Sequence, residues 1–514
     1  MKLFSGNKLA VTAKIIFVSI TLALLGLLAQ SAFASGEGLI AGFIALSMLA
    51  LALVYFTKIS IPMKFFLPGI LFLIAFVVLP IAYTLVMSGF QFKTGNYVDK
   101  PQALERIVAD SYVPDDSGLT FDVIVGEDSQ GELALLATDY LSGEFFLSTQ
   151  TDLKPLAAEE VTVDPELGIA VETDGFTRLT DDRLAAEGEA ISGLKFAGPG
   201  EYFLALEGFE VAIPLKPGLV YDEATDSFTQ VQTGAKYVDN GRGNYANIDD
   251  PEDKLNPGWR SPIWFENYVS LVTDEKVREP FMGVFIWTMV FSVLTVLTQF
   301  SLGLLVALAL DKPLRGRRFY RIIIILPYAV PSIMSILIWG GMFDTEFGAI
   351  NALLGTKIAW FLDPNFARAA VIIVNLWLGF PYFYLISNGA LQAIPGELSE
   401  AARIDGASSR QIFWQITLPL LLKMLTPLLI ASFAFNFNNF NLIFLLTGGG
   451  PRNDLDGEIA GATDILISYT YKIAFGSQVQ DLGLASAISV VIFILVAAIS
   501  LYGIRRSKVL EEFI

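Results

Sequence analysis

Long apolar stretches separated by short polar segments dominate the chain. A helix needs roughly 20 apolar residues to cross the hydrocarbon core of a membrane, and charged side chains are costly there. Eight stretches meet these criteria and together contain no Asp, Glu, Lys or Arg. They are Ile15–Ala34, Leu39–Phe56, Phe65–Met87, Phe281–Leu310, Ile322–Phe343, Ala369–Leu391, Met424–Thr447 and Leu482–Ile504. The pattern predicts an α-helical polytopic membrane protein with eight transmembrane helices.

The long interval between the third and fourth stretches has a different pattern. Short apolar or alternating runs recur there between Gly and Asp residues, which is typical of β-strands joined by turns. The runs are Leu119–Val125, Glu132–Thr138, Glu144–Ser148, Leu167–Glu172, Glu201–Glu207, Phe209–Leu215, Gly218–Tyr221 and Phe228–Val231. At 193 residues, the interval 88–280 is long enough to have its own core. We predict an inserted β-rich domain, whose strand order the pattern leaves open.

Composition excludes most familiar catalytic machinery. The 514 residues include no Cys and no His, and only 17% are charged, whereas soluble domains average about 25%. A Ser-His-Asp triad, a thiolate nucleophile, a disulfide framework and a zinc site with nitrogen or sulfur ligands are therefore excluded. We predict that the chain is not an enzyme and has no metal site.

Charge is distributed unevenly along the chain. The net charge is −18, but residues 88–280 hold 37 acidic and 14 basic residues, and the remainder sums to +5. The acidic balance argues against a nucleic-acid partner. With the N-terminus inside, the cytoplasmic loops hold 16 Lys and Arg residues and the short outer loops hold 4. Because basic loops stay inside, both termini are predicted to be cytoplasmic and residues 88–280 extracytoplasmic.

The N-terminus also resembles a cleavable signal peptide. Three lysines lie around the start of an apolar run that ends in an A-x-A-like sequence at Ala32–Ala34. However, the run of 20 residues is longer than a usual signal core, and a second apolar stretch follows at Leu39. We expect a retained transmembrane helix.

Residues 392–423 contain two short amphipathic helical patterns between membrane stretches. Pro395 is placed to begin the first helix and Gly406 to end it in a left-handed cap. Ser408 and Gln411 have the spacing of a capping box for the second helix, and Pro419 is expected to stop it. From these residues alone, the helices either lie at the lipid interface or form a docking site for a soluble partner.

The same segment carries a specific motif. Glu400-Ala401-Ala402, Gly406 after three residues, and Ile416-x-Leu418-Pro419 nine residues later resemble the EAA loop of bacterial ABC importer permeases. In that family, the loop forms a coupling helix that docks on the ATPase subunit, so the resemblance favours docking. The implied coupling residues are Glu400, Ala401, Ala402, Asp405, Gly406, Ile416, Leu418 and Pro419.

Other motifs resemble the sugar-permease branch of this family. They are Trp264–Tyr268, Leu326–Ser332 and Leu446–Pro451. Asn375–Tyr382 and Ala431–Phe440, together with three leading spans and a large domain after the third, are more similar to the maltose/maltodextrin permeases. The resemblance covers the whole architecture, is closest over 258–514, and implies the ABC type I importer fold with an immunoglobulin-like insert.

Polar residues recur with helical spacing on the sixth and seventh stretches. Residues spaced i, i+3, i+4 and i+7 lie on one face of a helix. The two stripes are Asn375, Leu378, Gly379 and Tyr382, and Ser432, Phe435, Asn436 and Asn439. Amides, hydroxyls and aromatic rings suit the hydroxyl groups and C–H faces of a sugar, so we predict a sugar site; the alternative is hydrogen bonding between helices. Asn438 and Asn441 are expected to face away and to stabilise helix packing.

The resemblance implies three regions and a multisubunit complex. Residues 1–87 form three transmembrane helices, 88–280 the large acidic periplasmic domain, and 281–514 a core permease domain of five transmembrane helices containing the coupling loop 392–423. The expected partners are membrane lipid, a second EAA permease subunit, an ATPase dimer, a periplasmic maltose-binding protein and a maltose or maltodextrin substrate. The expected location is the bacterial inner membrane, and alternating access is the expected mechanism. ATP and Mg are used by the partner ATPase, and no cofactor is expected on this chain.

Two alternatives remain open from the sequence. An EAA permease for another sugar would have the same motifs. A membrane insertase or assembly scaffold could also combine a β-rich domain with helices, although it gives no reason for the EAA spacing. A secondary transporter is disfavoured because the stretches contain no carboxylate for ion coupling. Because the chain also lacks a GxxxxGK[ST] phosphate loop, we expect its energy source to be bound elsewhere.

Overall fold

The computed structural model describes residues 8–35, 38–57, 61–115, 118–200, 202–311, 315–452, 459–476 and 480–506. The chain divides into two compact units. The helical unit comprises Met1–Gly89, Trp264–Gln478 and Leu482–Ile514, and the β-rich unit comprises Phe90–Ile263 and Val479–Asp481. The prediction that both chain termini are cytoplasmic concerns residues that lie outside the described ranges.

The helical unit begins with apolar helices. They are α1 (Lys8–Ala34), α2 (Gly38–Phe56), α3 (Ile61–Leu73) and α4 (Leu79–Met87). A π-helical turn, Ile74–Val78, joins α3 to α4, so that one apolar helix of 27 residues results. Pro80 lacks an N–H group and crowds the preceding turn of a regular helix. The wider turn, in which the N–H of Leu79 donates to the carbonyl of Ile74, lets the helix continue.

The β-rich unit contains short strands and two helices. The strands are β1 (Phe90–Gln91), β2 (Tyr112–Pro114), β3 (Phe121–Glu127), β4 (Leu133–Asp139), β5 (Phe145–Thr149), β6 (Leu153–Leu156), β7 (Val161–Val163), β8 (Ala170–Thr173), β9 (Thr177–Arg178), β10 (Lys195–Ala197), β11 (Phe203–Glu207), β12 (Val211–Pro217), β13 (Leu219–Asp222), β14 (Ser227–Gln230), β15 (Lys236–Asp239), β16 (Tyr245–Asn247) and β17 (Ser261–Pro262). The helices are α5 (Lys100–Asp110) and α6 (Asp181–Ser192).

The largest sheet in this unit has nine strands. Its order is β10-β11-β12-β3-β4-β5-β6, with β2 beside β12 and β9 beside β3. Phe121, Val123 and Val125, at alternate positions of β3, are buried and pack with Leu135 and Leu204 in one core. This alternation follows from the two-residue period of a strand. A second sheet, in the order β13-β14-β15-β16, has four strands.

The predicted β-rich insert is confirmed. Each predicted run overlaps a strand among β3, β4, β5, β8, β11, β12, β13 and β14, although Glu201, which begins one run, lies outside the described residues. Sequence reasoning missed α5 and α6, because charged residues interrupt their short apolar faces. The immunoglobulin-like arrangement stays a prediction.

The helical unit continues after the insert. Its helices are α7 (Glu266–Thr273), α8 (Glu275–Asp311), α9 (Arg317–Ala329), α10 (Ser332–Met342), α11 (Ala349–Leu354), α12 (Pro364–Ala393), α13 (Gly396–Ile404), α14 (Ser409–Ile412), α15 (Leu418–Phe437), α16 (Phe440–Leu446), α17 (Leu466–Tyr471) and α18 (Leu482–Arg506). Within the described ranges, six helices are long and apolar enough to cross a membrane, or up to seven if one bent pair forms a single span. The second predicted stretch is a shorter apolar helix, Ile40–Phe56.

The fifth predicted stretch is bent rather than straight. It consists of α9 and α10, whose axes differ by 94°. At the break, Val330 has extended backbone angles, φ −88° and ψ 136°. The cause is Pro331, because the ring of a proline disfavours a helical conformation in the residue before it.

The helix of the seventh stretch begins earlier and ends earlier than expected. The prediction that Pro419 stops the preceding helix is wrong, since Ser409–Phe437 forms one continuous helix. A π-helical turn at Phe413–Thr417 precedes Pro419, as another precedes Pro80, and again lets the helix continue. The helix instead ends after Phe437, and α16 begins two residues beyond Asn438.

Close packing of α8 on α12 lies at the centre of the helical unit. A Cβ atom added to Gly303 on α8 would lie 2.6 Å from the backbone nitrogen of Tyr384 on α12. A small residue there lets the two backbones approach, as is common between membrane helices. Ser387 and Ala390, farther along α12, are also buried. Both helices contribute residues to the wall of a cavity, Gln299 from α8 and Gly379 from α12.

Candidate functional site

A cavity of about 720 Å³ lies between α12, α15 and the break that separates α9 from α10. Every residue of the two predicted stripes lines it. These residues are Asn375, Leu378, Gly379, Tyr382, Ser432, Phe435, Asn436 and Asn439. The helical spacing read from the sequence therefore brings both stripes to one cavity.

Side-chain amides form a hydrogen-bonded group on one wall of the cavity. Nδ2 of Asn375 donates to Oδ1 of Asn436 at 2.8 Å, and Nδ2 of Asn439 donates to Oδ1 of Asn375 at 3.5 Å. Nδ2 of Asn436 also donates to the carbonyl oxygen of Ser432 at 2.8 Å. Asn375 and Asn436 are only 3% and 2% exposed. These two amides therefore join α12 to α15 as well as lining the cavity.

Gln299 on α8 is a polar cavity residue that the sequence analysis missed. Its Nε2 donates to the backbone carbonyl of Asn375 at 2.6 Å. A Cβ atom added to Gly379 would lie 2.1 Å from that nitrogen, so the glycine leaves the space that the glutamine side chain occupies. The available signal was an uncharged polar residue within an otherwise apolar stretch.

The break in the fifth stretch supplies another wall. Tyr328 and Ser332 line the cavity from either side of the bend, with Pro331 between them. Sequence reasoning noted the motif around these prolines but assigned no site residue to it. Backbone that departs from a helix within a membrane is tolerated where it lines a cavity.

The helix ends before Asn438, so the direction in which the following residues point differs from the prediction. Asn439 lies beyond the continuous helix, yet it still reaches the cavity. Asn441, which was expected to face away, also lines the cavity, because the chain changes direction before α16 begins. Asn438 is exposed and donates from Nδ2 to the carbonyl of Ala434 within its own helix.

Aromatic rings complete the cavity. Phe435 is 68% exposed, whereas Tyr382 is half-buried and packs edge-on against Phe383. None of the described residues that line the cavity has a formal charge. Amide and hydroxyl groups beside aromatic faces can hydrogen-bond and stack on a neutral polar solute. The described residues contain no cluster of acidic side chains that could hold a metal ion.

The predicted coupling loop has, around Gly406, the local structure that its sequence predicts. Gly406 follows α13 with φ +84°, the left-handed conformation that favours glycine. Its N–H donates to the carbonyl of Arg403 at 3.0 Å, which ends the helix. Ser408 begins α14, and it forms the predicted capping box with Gln411. The sequence therefore specifies the short helix α13, the turn after it and the start of the long helix that follows.

The predicted coupling residues occupy three parts of this loop. Glu400, Ala401 and Ala402 lie on α13, Asp405 and Gly406 form the turn, and Ile416, Leu418 and Pro419 lie at the entrance to α15. Two apolar side chains of α13, Leu398 and Ile404, are 44% and 87% exposed. An exposed apolar surface on a rigid short helix can dock into a cleft of another protein.

Comparison with known proteins places these features in a family. Residues 299–507 match the model of the family described as "Binding-protein-dependent transport system inner membrane component". The maltose/maltodextrin transport system permease protein MalF of Salmonella typhi is 37% identical over 502 residues, covering 94% of each chain. MalF of Escherichia coli (strain K12) is 36% identical over 501 residues, again covering 94% of each chain.

Solved structures of ABC transporters are similar over a smaller part of the chain. A bacterial ABC transporter involved in the import of the acidic polysaccharide alginate has a TM-score of 0.41 and 21% identity. That similarity covers 48% of this chain and 84% of the other. The similarity to the curated relatives, in contrast, runs through the insert and both helical regions. The chain therefore belongs to the MalF family of ABC importer permeases and is a membrane-spanning transport subunit.

Proposed function

We propose that this subunit moves maltose and maltodextrins across the bacterial inner membrane by alternating access. The relatives that extend over 94% of the chain are maltose/maltodextrin permeases. The cavity beside α12 and α15 is the proposed sugar site, with the two polar stripes as its binding residues. The observation that carries this proposal is the convergence of both stripes on one uncharged, amide-rich and aromatic cavity.

The chemistry of the cavity supports a neutral sugar. In this proposal, Asn439 and Ser432 hydrogen-bond sugar hydroxyls, while Phe435 and Tyr382 pack on the C–H faces of a sugar ring; all four line the cavity. An anionic sugar would need a positively charged partner in so confined a site. The described lining offers none. This favours maltodextrins over charged substrates. Uptake measured with a panel of sugars distinguishes maltodextrins from other neutral sugars.

The energy for transport comes, in this proposal, from a partner ATPase dimer that uses ATP and Mg. The predicted spans carry no charged residue with which to couple transport to an ion gradient. The loop around Glu400–Gly406 is exposed and suited to docking. Closure of the ATPase pair moves this loop, and the core helices then turn the cavity from one side of the membrane to the other.

Further partners complete the proposed assembly. A second EAA permease subunit forms the other half of the membrane pathway. A periplasmic maltose-binding protein delivers sugar and contacts the acidic insert, which lies on the periplasmic side while both termini are cytoplasmic. An importer subunit has little need of so large a domain unless it meets something outside the membrane.

Co-purification tests the assembly. The full chain is purified from its native membrane with a tag, and the associated proteins are identified by mass spectrometry in the presence of maltose. We expect an ATPase, a second permease and a sugar-binding protein, with crosslinks from residues 88–280 reaching the last. Recovery of nascent membrane proteins instead would support an insertase, and a binding protein without crosslinks to the insert would remove the proposed role of that domain.

A further inference from the structure

The two ends of the Gln299 side-chain amide have different surroundings. The residue lies on α8, lines the cavity and is only 4% exposed. Its Nε2 donates to the backbone carbonyl of Asn375 on α12 at 2.6 Å. A carbonyl oxygen can accept a hydrogen bond but cannot donate one, so the nitrogen of the amide must face α12. The amide oxygen is therefore turned to another neighbour.

Oε1 of Gln299 is open to the cavity. In the part of the chain that the structure describes, no protein group donates a hydrogen bond to this oxygen. The described side-chain polar atoms that lack both a partner and accessible surface belong to Arg317, Arg321, Ser335 and Ser387, and Oε1 of Gln299 is not one of them. It therefore keeps accessible surface, and the open space that Gln299 lines is the cavity.

Gly379 holds this amide in one orientation. A Cβ atom added to the glycine would lie 2.1 Å from Nε2 and 2.5 Å from Oε1 of Gln299, so the amide lies directly against the backbone of α12. Side chains on a helix tilt toward its N-terminus, and a side chain at position 379 would therefore cover the carbonyl of Asn375. The glycine leaves that carbonyl accessible to Nε2. The hydrogen bond then fixes the direction of the oxygen.

The other buried amides of the cavity are paired with one another. Nδ2 of Asn375 donates to Oδ1 of Asn436, and Oδ1 of Asn375 accepts from Nδ2 of Asn439. Nδ2 of Asn436 donates in turn to the carbonyl of Ser432. Much of their hydrogen-bonding capacity thus joins helices or caps turns. Gln299 differs, because its oxygen has no donor among the described groups and remains an acceptor for a solute.

We propose that Oε1 of Gln299 accepts a hydrogen bond from one hydroxyl group of the transported sugar and makes transport specific for sugars that carry this hydroxyl. The inference rests on the proposed function of the cavity as a sugar site. A sugar that has hydrogen in place of this hydroxyl leaves Oε1 unpaired in a confined site. Such an unmade hydrogen bond lowers affinity or rate roughly ten- to a hundredfold. Through Gln299, α8 takes part in sugar selection together with α12 and α15.

Uptake of monodeoxy analogues of maltose tests this inference. The full complex is reconstituted with the unaltered chain or with Gln299→Met, which removes the amide but keeps a side chain of similar length, and kcat/KM is measured for each sugar. For the unaltered chain, we expect removal of one particular hydroxyl to lower uptake roughly ten- to a hundredfold. Gln299→Met should lower maltose uptake by a similar factor and abolish the discrimination at that hydroxyl, while discrimination at other hydroxyls remains. The same binding protein is used throughout, so its own preference cancels between variants.

Thr298→Val is the matched control. Thr298 is adjacent on α8 and outside the cavity lining, and its hydroxyl donates to the carbonyl of Leu294 in its own helix at 2.7 Å. This variant should keep both maltose uptake and discrimination. If Gln299→Met lowered the uptake of every sugar by one common factor, Gln299 would serve packing alone and the inference would be wrong.

Two further outcomes separate this inference from the proposed function. Equal uptake of maltose and all its monodeoxy analogues by the unaltered complex would overturn the inference without reference to any variant. A complex that takes up maltose with ATP, but whose discrimination is the same in Gln299→Met, would overturn the inference and leave the proposed function intact. Failure of the unaltered complex to take up maltose would overturn both.

Discussion

Asn375 on α12 donates a hydrogen bond to Asn436 on α15 at 2.8 Å. Both side chains are almost fully buried, and both also line the cavity. From the sequence, substrate binding and helix packing are alternative roles for such residues. The geometry combines them, because an amide that joins two helices can present its remaining hydrogen-bonding capacity to a solute between them.

Replacement of Asn436 should impair transport strongly. In Asn436→Ala, Nδ2 of Asn375 loses its 2.8 Å acceptor. The proposed sugar site also loses an amide that helps to hold its wall in position. An unmade buried hydrogen bond costs about 1–3 kcal/mol, or roughly ten- to a hundredfold in affinity or rate. We expect sugar uptake to fall by that factor while the ATPase still co-purifies.

Asn438→Ala is the matched control for this change. Asn438 is exposed, and among the described contacts its side chain hydrogen-bonds only to the carbonyl of Ala434 in the preceding helix, so uptake should change little. If Asn438→Ala abolished uptake in a stable complex while Asn436→Ala had no effect, the proposed sugar site would be wrong.

Gly379 should tolerate no larger side chain. Its added Cβ would lie 2.1 Å from Nε2 of Gln299, whereas nothing lies within 4 Å of a Cβ added to Gly389 on the same helix. Overpacking of this kind costs about 1–3 kcal/mol. Gly379→Ala should therefore lower the unfolding temperature of the purified complex and reduce uptake, and Gly389→Ala should do neither. Equal unfolding temperatures for the two variants would contradict the packing described for α8 and α12.

The turn in the proposed coupling loop should not accept proline. Gly406 has φ +84°, whereas proline is fixed near −65°, and the change also removes the N–H that donates to Arg403. Gly406→Pro should distort the junction between α13 and α14 and release the ATPase, while the chain still inserts into the membrane. Gly396→Ala at the start of α13, with no atom within 4 Å of the added Cβ, is the control. Normal ATPase recovery with Gly406→Pro would remove the coupling role of this loop.

The β13–β16 sheet should lose stability in acid. The hydrogen bond from Lys100, 2.6 Å from Asp226, and a second from Tyr245 lower the pKa of the Asp226 carboxyl below its usual range. The stability from a lowered pKa is fully present above the ordinary value of about 3.9 and is lost as the pH falls through the lowered one. Hydrogen exchange of the full chain should therefore show less protection of this sheet as the pH drops below about 4.

Asp226→Asn separates this charge effect from backbone strain. Asp226 has φ +46°, a conformation that asparagine also tolerates. The variant should be less protected than the unaltered chain at pH 7, and the two should converge in acid. An unchanged difference between them across the whole pH range would show that the ion pair with Lys100 does not contribute.

Much of the fold follows from the spacing of apolar residues along the sequence. Uncharged stretches of membrane length and alternating strand runs are set by local sequence, and the turn at Gly406 is set by a single residue type. The bend at Pro331 and the helix end at Asn438 were harder to predict. A proline within an apolar stretch can break the helix, as at Pro331, or be accommodated in a continuous one, as at Pro80 and Pro381, and its presence alone does not distinguish the two outcomes.

The site was predictable where one helix presents its residues with a regular period. Asn375 and Tyr382 share a continuous helix, so their common face followed from their spacing. Asn441 and Ser332 reach the cavity only because the chain changes direction beside them. Gln299 comes from a helix distant in sequence, and its contact with Gly379 depends on how α8 packs on α12.

Uptake by a reconstituted complex tests the central claim most directly. The chain is incorporated into proteoliposomes with its partner permease, ATPase and binding protein, and accumulation of a labelled maltodextrin is measured with and without ATP, against a panel of other sugars. The account predicts ATP-dependent uptake of the maltodextrin in preference to the other sugars, reduced roughly ten- to a hundredfold by Asn436→Ala. Uptake that is independent of ATP, or equal for the unaltered chain and Asn436→Ala, would contradict it.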